Sequence, residues 1–129
     1  MNRTTSMLAL FAVALLPACG ADGSTAGVEL PPAATEGREV TRDKGCAACH
    51  GSNGDGGVAP PFVGLFGSEV ELQGGEPVIA DREYIVESIV DPGAKLVEGY
   101  NLPMPRTELS PAEIDAVVAY IEALAEVAP

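Results

Sequence analysis

The pentapeptide Cys46-Ala47-Ala48-Cys49-His50 limits the possible structures of this protein more than any other stretch. Two cysteines three positions apart lie on the same helical turn, and the histidine follows the second cysteine directly. This arrangement is typical of covalent haem attachment, in which each cysteine forms a thioether to a haem vinyl group. The motif therefore predicts one haem c bonded through Cys46 and Cys49, with His50 as an axial iron ligand.

Three other uses of such a motif fit the sequence less well. A closed structural zinc site needs four ligands, usually Cys and His, and Cys19 is the only other Cys or His in the chain. A thioredoxin-like redox pair expects a βαβ context, but no strand pattern flanks the motif. A structural disulfide is compatible with an oxidising compartment, but it does not require the adjacent histidine.

The second axial ligand is predicted by elimination. Electron-transfer cytochromes commonly pair histidine with methionine on the iron, which raises the potential. The chain has no second histidine, and Met104 is its only methionine beyond the N-terminal apolar run. A lone methionine is ordinarily a core gap-filler. Met104, however, lies between Pro103 and Pro105, which stiffen the backbone and remove amide donors. We therefore expect His50 and Met104 to be the axial pair.

The N-terminus resembles a bacterial export signal. Arg3 precedes an unbroken apolar run at 7–16, which is too short to span a bilayer but suits a signal h-region. Leu16-Pro17-Ala18-Cys19 then resembles the lipobox of lipoproteins. We predict a lipoprotein signal peptide at 1–18 and lipidation of Cys19, with anchoring in the periplasm or at the outer face of the cytoplasmic membrane. The alternative is an ordinary signal cut nearby, with Cys19 incidental.

Composition along the chain divides the rest into a tether and one domain. Residues 19–34 are small, polar and proline-containing, without an apolar period, and are predicted to be a flexible tether. The domain is predicted at 35–129. Its first helix is expected at about 36–44, and a weak alternation at 69–79 predicts a short β-hairpin.

Two further helices have clear boundary signals. One is predicted at 82–90, with Asp81 as its N-cap and Asp91-Pro92-Gly93 as its stop. The last helix begins at Ser110-Pro111, where Glu113 completes a capping box. Its apolar face comprises Ile114, Val117, Val118, Ile121 and Leu124.

The charge balance limits the partners. The chain has 19 Asp and Glu against 7 Lys and Arg, a formal net charge of −12. This argues against nucleic acid and against direct attraction to anionic lipid. Acidic residues at 69, 71, 76, 81, 83 and 87 could form a face that steers a basic partner. Such charges more often serve solubility alone.

From about Thr35 to Leu124 the chain resembles a class I monohaem cytochrome c. Within that family it is most similar to the cytochrome c domain fused to subunit II of some haem–copper oxidases. The matching stretches are GCAACHG at 45–51, APPFVGLFG at 59–67, ESIVDPGAKLVEGY at 87–100, LPMP at 102–105 and SPAEIDAVVAYIEAL at 110–124. The resemblance implies a small all-α fold with three main helices around one haem, plus a minor hairpin.

The resemblance also implies roles for single residues. The carbonyl of Pro60 is expected to accept a hydrogen bond from His50, and the first and last helices are expected to cross at Gly37 and Tyr120. Phe62 and Leu65 are expected to line the haem pocket. Three further residues are weaker candidates for a role at the haem. Tyr100 could bond a haem propionate or tune the ligand loop, or simply pack. Arg106 could pair with a propionate or be solvated. Lys95 could replace Met104 only after a large rearrangement.

These observations predict a one-electron carrier and not an enzyme, because both axial positions of the iron would be filled. Its expected partner is a membrane respiratory complex such as a terminal oxidase. The copper ligands and transmembrane hairpin of the fused oxidase subunit are missing from this sequence, so oxidase activity would belong to a partner.

One alternative function is that of a dedicated haem subunit of a periplasmic dehydrogenase or reductase. The other is a haem enzyme or gas sensor in which Met104 is not bound.

Overall fold

The computed structural model describes residues 29–127, so the predicted signal peptide, Cys19 and most of the predicted tether lie outside the described residues. The described residues form four helices and a two-stranded sheet. In chain order these are α1 (Pro32–Asp43), α2 (Ala47–His50), β1 (Glu69–Val70), β2 (Val78–Ile79), α3 (Arg82–Val90) and α4 (Pro111–Ala125). The mostly helical fold class with a minor hairpin is confirmed. None of the helices in this range is both long enough and apolar enough to cross a bilayer.

The start of helix α1 differs from the prediction. The helix begins at Pro32 and not near residue 36, so residues 32–34 belong to the domain and not to the tether. Proline is tolerated here because the first amides of a helix have no intrahelical partner. Among residues 29–127, no side chain caps this end. Instead, Ala34 is 1% exposed, and the side chain of Leu30 packs against the same core. Apolar burial therefore decides this boundary.

The two later helices begin where their capping residues predict. The Asp81 carboxylate accepts a hydrogen bond from the backbone N–H of Tyr84 at 2.8 Å, and α3 has the predicted bounds. At the start of α4, Ser110 Oγ accepts from the N–H of Glu113 at 3.3 Å. The Glu113 carboxylate accepts from the N–H of Ser110 at 2.7 Å. Both bonds of the predicted capping box are thus present, and they satisfy amides that the helix itself leaves free.

Helices α1 and α4 cross in direct backbone contact at Gly37. A Cβ atom on Gly37 would lie 1.9 Å from the carbonyl oxygen of Ala116 and 2.8 Å from Cβ of Tyr120. Only glycine leaves room for this approach. Tyr120 is 2% exposed and belongs to the core. The predicted crossing of the first and last helices at Gly37 and Tyr120 is confirmed.

The hairpin follows the loop at residues 51–68 in the chain. Strands β1 and β2 are antiparallel, with Glu69 opposite Ile79 and Val70 opposite Val78. Just beyond β1, Leu72 forms an isolated antiparallel bridge with Val97. The predicted hairpin is confirmed, and its extension ties the segment after α3 to the rest of the domain.

Candidate cofactor site

The Cys46–His50 motif forms a helical turn immediately after α1. Gly45, with a φ of 82°, lets the chain turn between the two helices. The N–H of His50 then donates to the carbonyl of Cys46 at 3.0 Å, closing a single turn. This turn is α2, a fourth helix beside the three predicted main ones. Four residues are too few for an apolar period to reveal a helix, although the motif's own spacing does suit one helical turn.

A glycine-containing loop wraps around this turn and brings Pro60 to His50. The N–H of Gly56 donates to the carbonyl of His50 at 2.8 Å, and that of Ala59 donates to the carbonyl of Cys49 at 3.1 Å. Further along, the N–H of Phe62 donates to the carbonyl of Gly54 at 2.7 Å. Gly54 has a φ of 73°, and a Cβ there would lie 3.0 Å from Cβ of Phe62. The loop is therefore held to the motif by backbone bonds.

His50 is oriented by two neighbours. Its Nδ1 atom lies 2.7 Å from the carbonyl oxygen of Pro60, so the predicted hydrogen bond is present. Because a carbonyl only accepts, Nδ1 carries the proton and Nε2 keeps its lone pair free for a metal. The ring also stacks on Phe62, with centroids 4.4 Å apart and planes inclined by 19°. Burial lowers the pKa of His50, although the bond to Pro60 partly raises it. The neutral imidazole that a metal needs is thus favoured.

All eight residues predicted to hold haem line one cavity of about 480 Å³. They are Cys46, Cys49, His50, Pro60, Phe62, Leu65, Tyr100 and Met104. Their convergence is a property of the fold, because Met104 comes from a loop far along the chain from the motif. The volume lies in the usual range for cofactor and ligand sites, about 300–1,000 Å³. The donor set and the largely apolar wall fit a covalently attached haem.

The cysteines are half-buried and are not joined in a disulfide. Burial raises the pKa of the Cys46 thiol, and the nearby Cys49 contributes in the same direction. Before haem attachment, this burial favours the neutral thiol over the thiolate.

Helices α3 and α4 contribute cavity residues that the sequence did not assign to the site. These are Tyr84, Ile85, Ser88, Ile89, Val117 and Ile121. The first four form two adjacent pairs spaced three to four residues apart, as on one face of a helix. The neighbouring sequence does not indicate what that face packs against. Tyr84 is 8% exposed, and burial raises the pKa of its hydroxyl group. Tyr84 and Ser88 are thus polar groups in a mostly apolar wall.

The two basic candidates, Lys95 and Arg106, differ in whether they line the cavity. Lys95 lines the cavity and forms an ion pair with Glu87. Arg106 is absent from the cavity lining and instead pairs with Asp91 at 2.5 Å. Its side chain is 72% exposed, so Arg106 is largely solvated and lies outside the cavity lining.

The predicted acidic face is only partly brought together. Glu69 and Glu71 are exposed at the cavity, where Glu98 joins them. Glu87 is half-buried in its ion pair with Lys95, and Asp81 caps α3. The six carboxylates therefore do not act as one free surface.

Comparison with curated proteins yields no match. The family model described as "Cytochrome c" matches residues 34–125. This match covers the motif turn, the loop that carries Pro60, the hairpin, both later helices and Met104, which are the elements that enclose the cavity. Its extent, 92 of 129 residues, far exceeds what the short motif alone would support. The chain belongs to the cytochrome c family, a family of haem-based electron carriers, and its cofactor is covalently bound haem c.

Proposed function

We propose that this protein carries single electrons on one haem bonded to Cys46 and Cys49, with His50 and Met104 as the axial iron ligands. The observation that supports it most is the convergence of these four side chains on a single cavity. When bound, the haem supplies a one-electron Fe(III)/Fe(II) couple.

The protein's own residues have distinct tasks in this proposal. Pro60 keeps His50 in one tautomer and one ring orientation through the 2.7 Å bond. Phe62 stacks on the same imidazole ring and limits its remaining motion. Leu65 and the faces of α3 and α4 keep water from the cavity, and exclusion of water is one of the levers on haem potential. Tyr100 borders the cavity just before Met104 and supports that loop.

If His50 and Met104 both bound the iron, no substrate could reach it. This supports electron transfer over catalysis at the haem. Replacing Met104 by Leu in the haem-loaded protein tests the assignment, since leucine has a similar shape and no ligand atom. We expect loss of the far-red absorption band of Met-ligated ferric haem, a lower reduction potential and new binding of external ligands.

Leu102→Ala is the matched control, because Leu102 lies in the same loop, lines the same cavity and is 61% exposed. It should keep the band. Absence of the band from the unchanged protein would show that Met104 is not a ligand, and would favour the enzyme or gas-sensor alternative.

Covalent attachment has its own test. Cys46→Ser and Cys49→Ser should each leave one thioether, and the double variant should lose haem to acidified organic solvent. Intact mass reports both outcomes directly. Full retention of haem by the double variant would contradict the assignment of these cysteines.

We propose further that the protein is exported, lipidated on Cys19 and exchanges electrons with a membrane respiratory complex such as a terminal oxidase. The lipobox-like residues 16–19 support the anchor. The resemblance of residues 35–124 to the cytochrome c domain of some oxidase subunits supports the partner class. Intact mass of membrane-extracted protein tests the first point, and a mass without acyl groups would overturn it. Reduced protein mixed with purified oxidase tests the second, by the rate of haem oxidation.

A further inference from the structure

We propose that Gln73 and Arg106 are positioning residues that hold the Met104 loop, here residues 101–109, at the two sides of Met104. The inference rests on the proposed function, in which Met104 binds iron. Neither side chain would touch the cofactor as an iron ligand; both would act on the ligand through the backbone.

The Met104 loop has little structure of its own. Among residues 29–127, no backbone-to-backbone hydrogen bond begins or ends within 101–109. Pro103 and Pro105 lack the backbone N–H groups that donate such hydrogen bonds. Leu109 packs against the core at the far end of the loop. The position of Met104 therefore depends on how the flanking residues are held.

Gln73 holds the residue immediately before the loop. Its side-chain Nε2 donates to the carbonyl of Tyr100 at 2.8 Å and to that of Val97 at 3.1 Å. An amide nitrogen carries two N–H groups, so this donor is fully used. The backbone N–H of Gln73 also donates to the carbonyl of Leu96 at 2.8 Å. Gln73, which lies between β1 and β2, thus binds three carbonyls of the chain that leads to Met104.

Arg106 holds the other side, two residues after Met104. Its guanidinium donates to the Asp91 carboxylate at 2.5 Å and to the carbonyl of Val90 at 3.3 Å. Val90 is the last residue of α3, and Asp91 is the C-cap of that helix. Since α3 provides a wall of the cavity, Arg106 ties the loop to the same body that encloses the haem.

The expected effect follows from the exposure of these groups. Arg106 is 72% exposed, so its ion pair is weak, and a single hydrogen bond also contributes modestly. In this proposal, an external ligand such as imidazole can bind the ferric iron only when Met104 is not bound to it. Its apparent affinity is therefore scaled by the fraction of protein in that state. Loosening either anchor should tighten imidazole binding roughly three- to tenfold.

The experiment uses the ferric, haem-loaded full chain and measures imidazole dissociation constants by optical titration. Gln73→Ala and Arg106→Gln should each bind imidazole more tightly than the unchanged protein. Arg106→Lys should restore most of the difference, because lysine can still pair with Asp91. Arg82→Gln is the matched control: Arg82 forms an equally short exposed ion pair with Asp115, away from the loop. It should bind imidazole as the unchanged protein does.

The outcomes separate this inference from the proposed function. If the unchanged protein shows the far-red band of Met-ligated iron and the variants keep its imidazole affinity, the anchoring roles are wrong and the ligation stands. An equal gain in Arg82→Gln would also overturn them, because general loosening would then explain the effect. If the unchanged protein lacks the band, both the ligation and the anchoring are overturned.

Discussion

His50 and Pro60, ten residues apart in the chain, are joined by a hydrogen bond of 2.7 Å from the imidazole Nδ1 to the carbonyl oxygen. The bond ties the motif helix to the loop that follows it. Phe62 completes the arrangement by stacking on the same ring and meeting Tyr120 edge-on, with centroids 6.4 Å apart. A path of contacts thus runs from the predicted iron ligand to the crossing of α1 and α4.

Phe62→Ala should destabilise the haem-loaded protein by about 3–5 kcal/mol, the usual loss for a buried phenylalanine. Phe62 is 7% exposed and contacts both rings. Urea unfolding measures the change. Val58→Ala in the same loop is the control, since Val58 is 59% exposed and should change stability by under about 0.5 kcal/mol. Equal losses in the two variants would contradict the packing described.

Gly37→Ala should destabilise the fold by about 1–3 kcal/mol, although alanine is the better helix former by about 1 kcal/mol. The added Cβ would meet the Ala116 carbonyl oxygen at 1.9 Å, so the helices must separate. The sign of the change in unfolding free energy is the test. Glu36→Ala, at an exposed neighbouring position, should be nearly neutral. A stabilised Gly37→Ala protein would show that the helices do not touch there.

The corrected start of α1 can be tested with a pair of adjacent substitutions. Ala34→Asp would place a carboxylate in the core and should cost on the order of 3 kcal/mol or more. Ala33→Asp, exposed in the first helical turn, should be neutral or slightly stabilising through the helix dipole. Chemical unfolding distinguishes them. If neither substitution lowered the free energy of unfolding, Ala33 and Ala34 would belong to a tether and not to the domain.

Glu113 should make stability depend on acid pH. Its hydrogen bonds with Ser110, followed by the contact with Lys44, lower its pKa from 4.5 to about 2. A carboxyl whose pKa is lower in the folded protein stabilises it above the unfolded pKa, and this contribution disappears as pH falls towards 2. Glu113→Gln keeps a capping-box side chain but cannot ionise. The urea midpoint of the unchanged protein should exceed that of Glu113→Gln near pH 6, and the gap should close by about pH 2. A gap that persists unchanged to pH 2 would contradict the assignment.

The later helices were predictable from sequence because their boundaries depend on residues within a few positions of one another. Asp81 and Ser110 each bond an amide three residues away, so the capping pattern carries the geometry with it. The beginning of α1 was not predictable in this way. It depends on Ala34 and Leu30 reaching a core formed largely by distant residues, and their small or apolar side chains look like linker composition when taken alone.

The same division holds for the site. The amino-acid sequence alone establishes which ligand groups are available: one Cys-x-x-Cys-His motif, one histidine and a single methionine beyond the N-terminal apolar run. Ligand type is a property of the residue, so counting was enough to name the candidates. Only the tertiary structure brought Met104 into the cavity of Cys46 and Cys49, turned one face of α3 inward and joined Gln73 to Tyr100. Those relationships depend on where segments far apart in the chain pack together, and no local pattern encodes that.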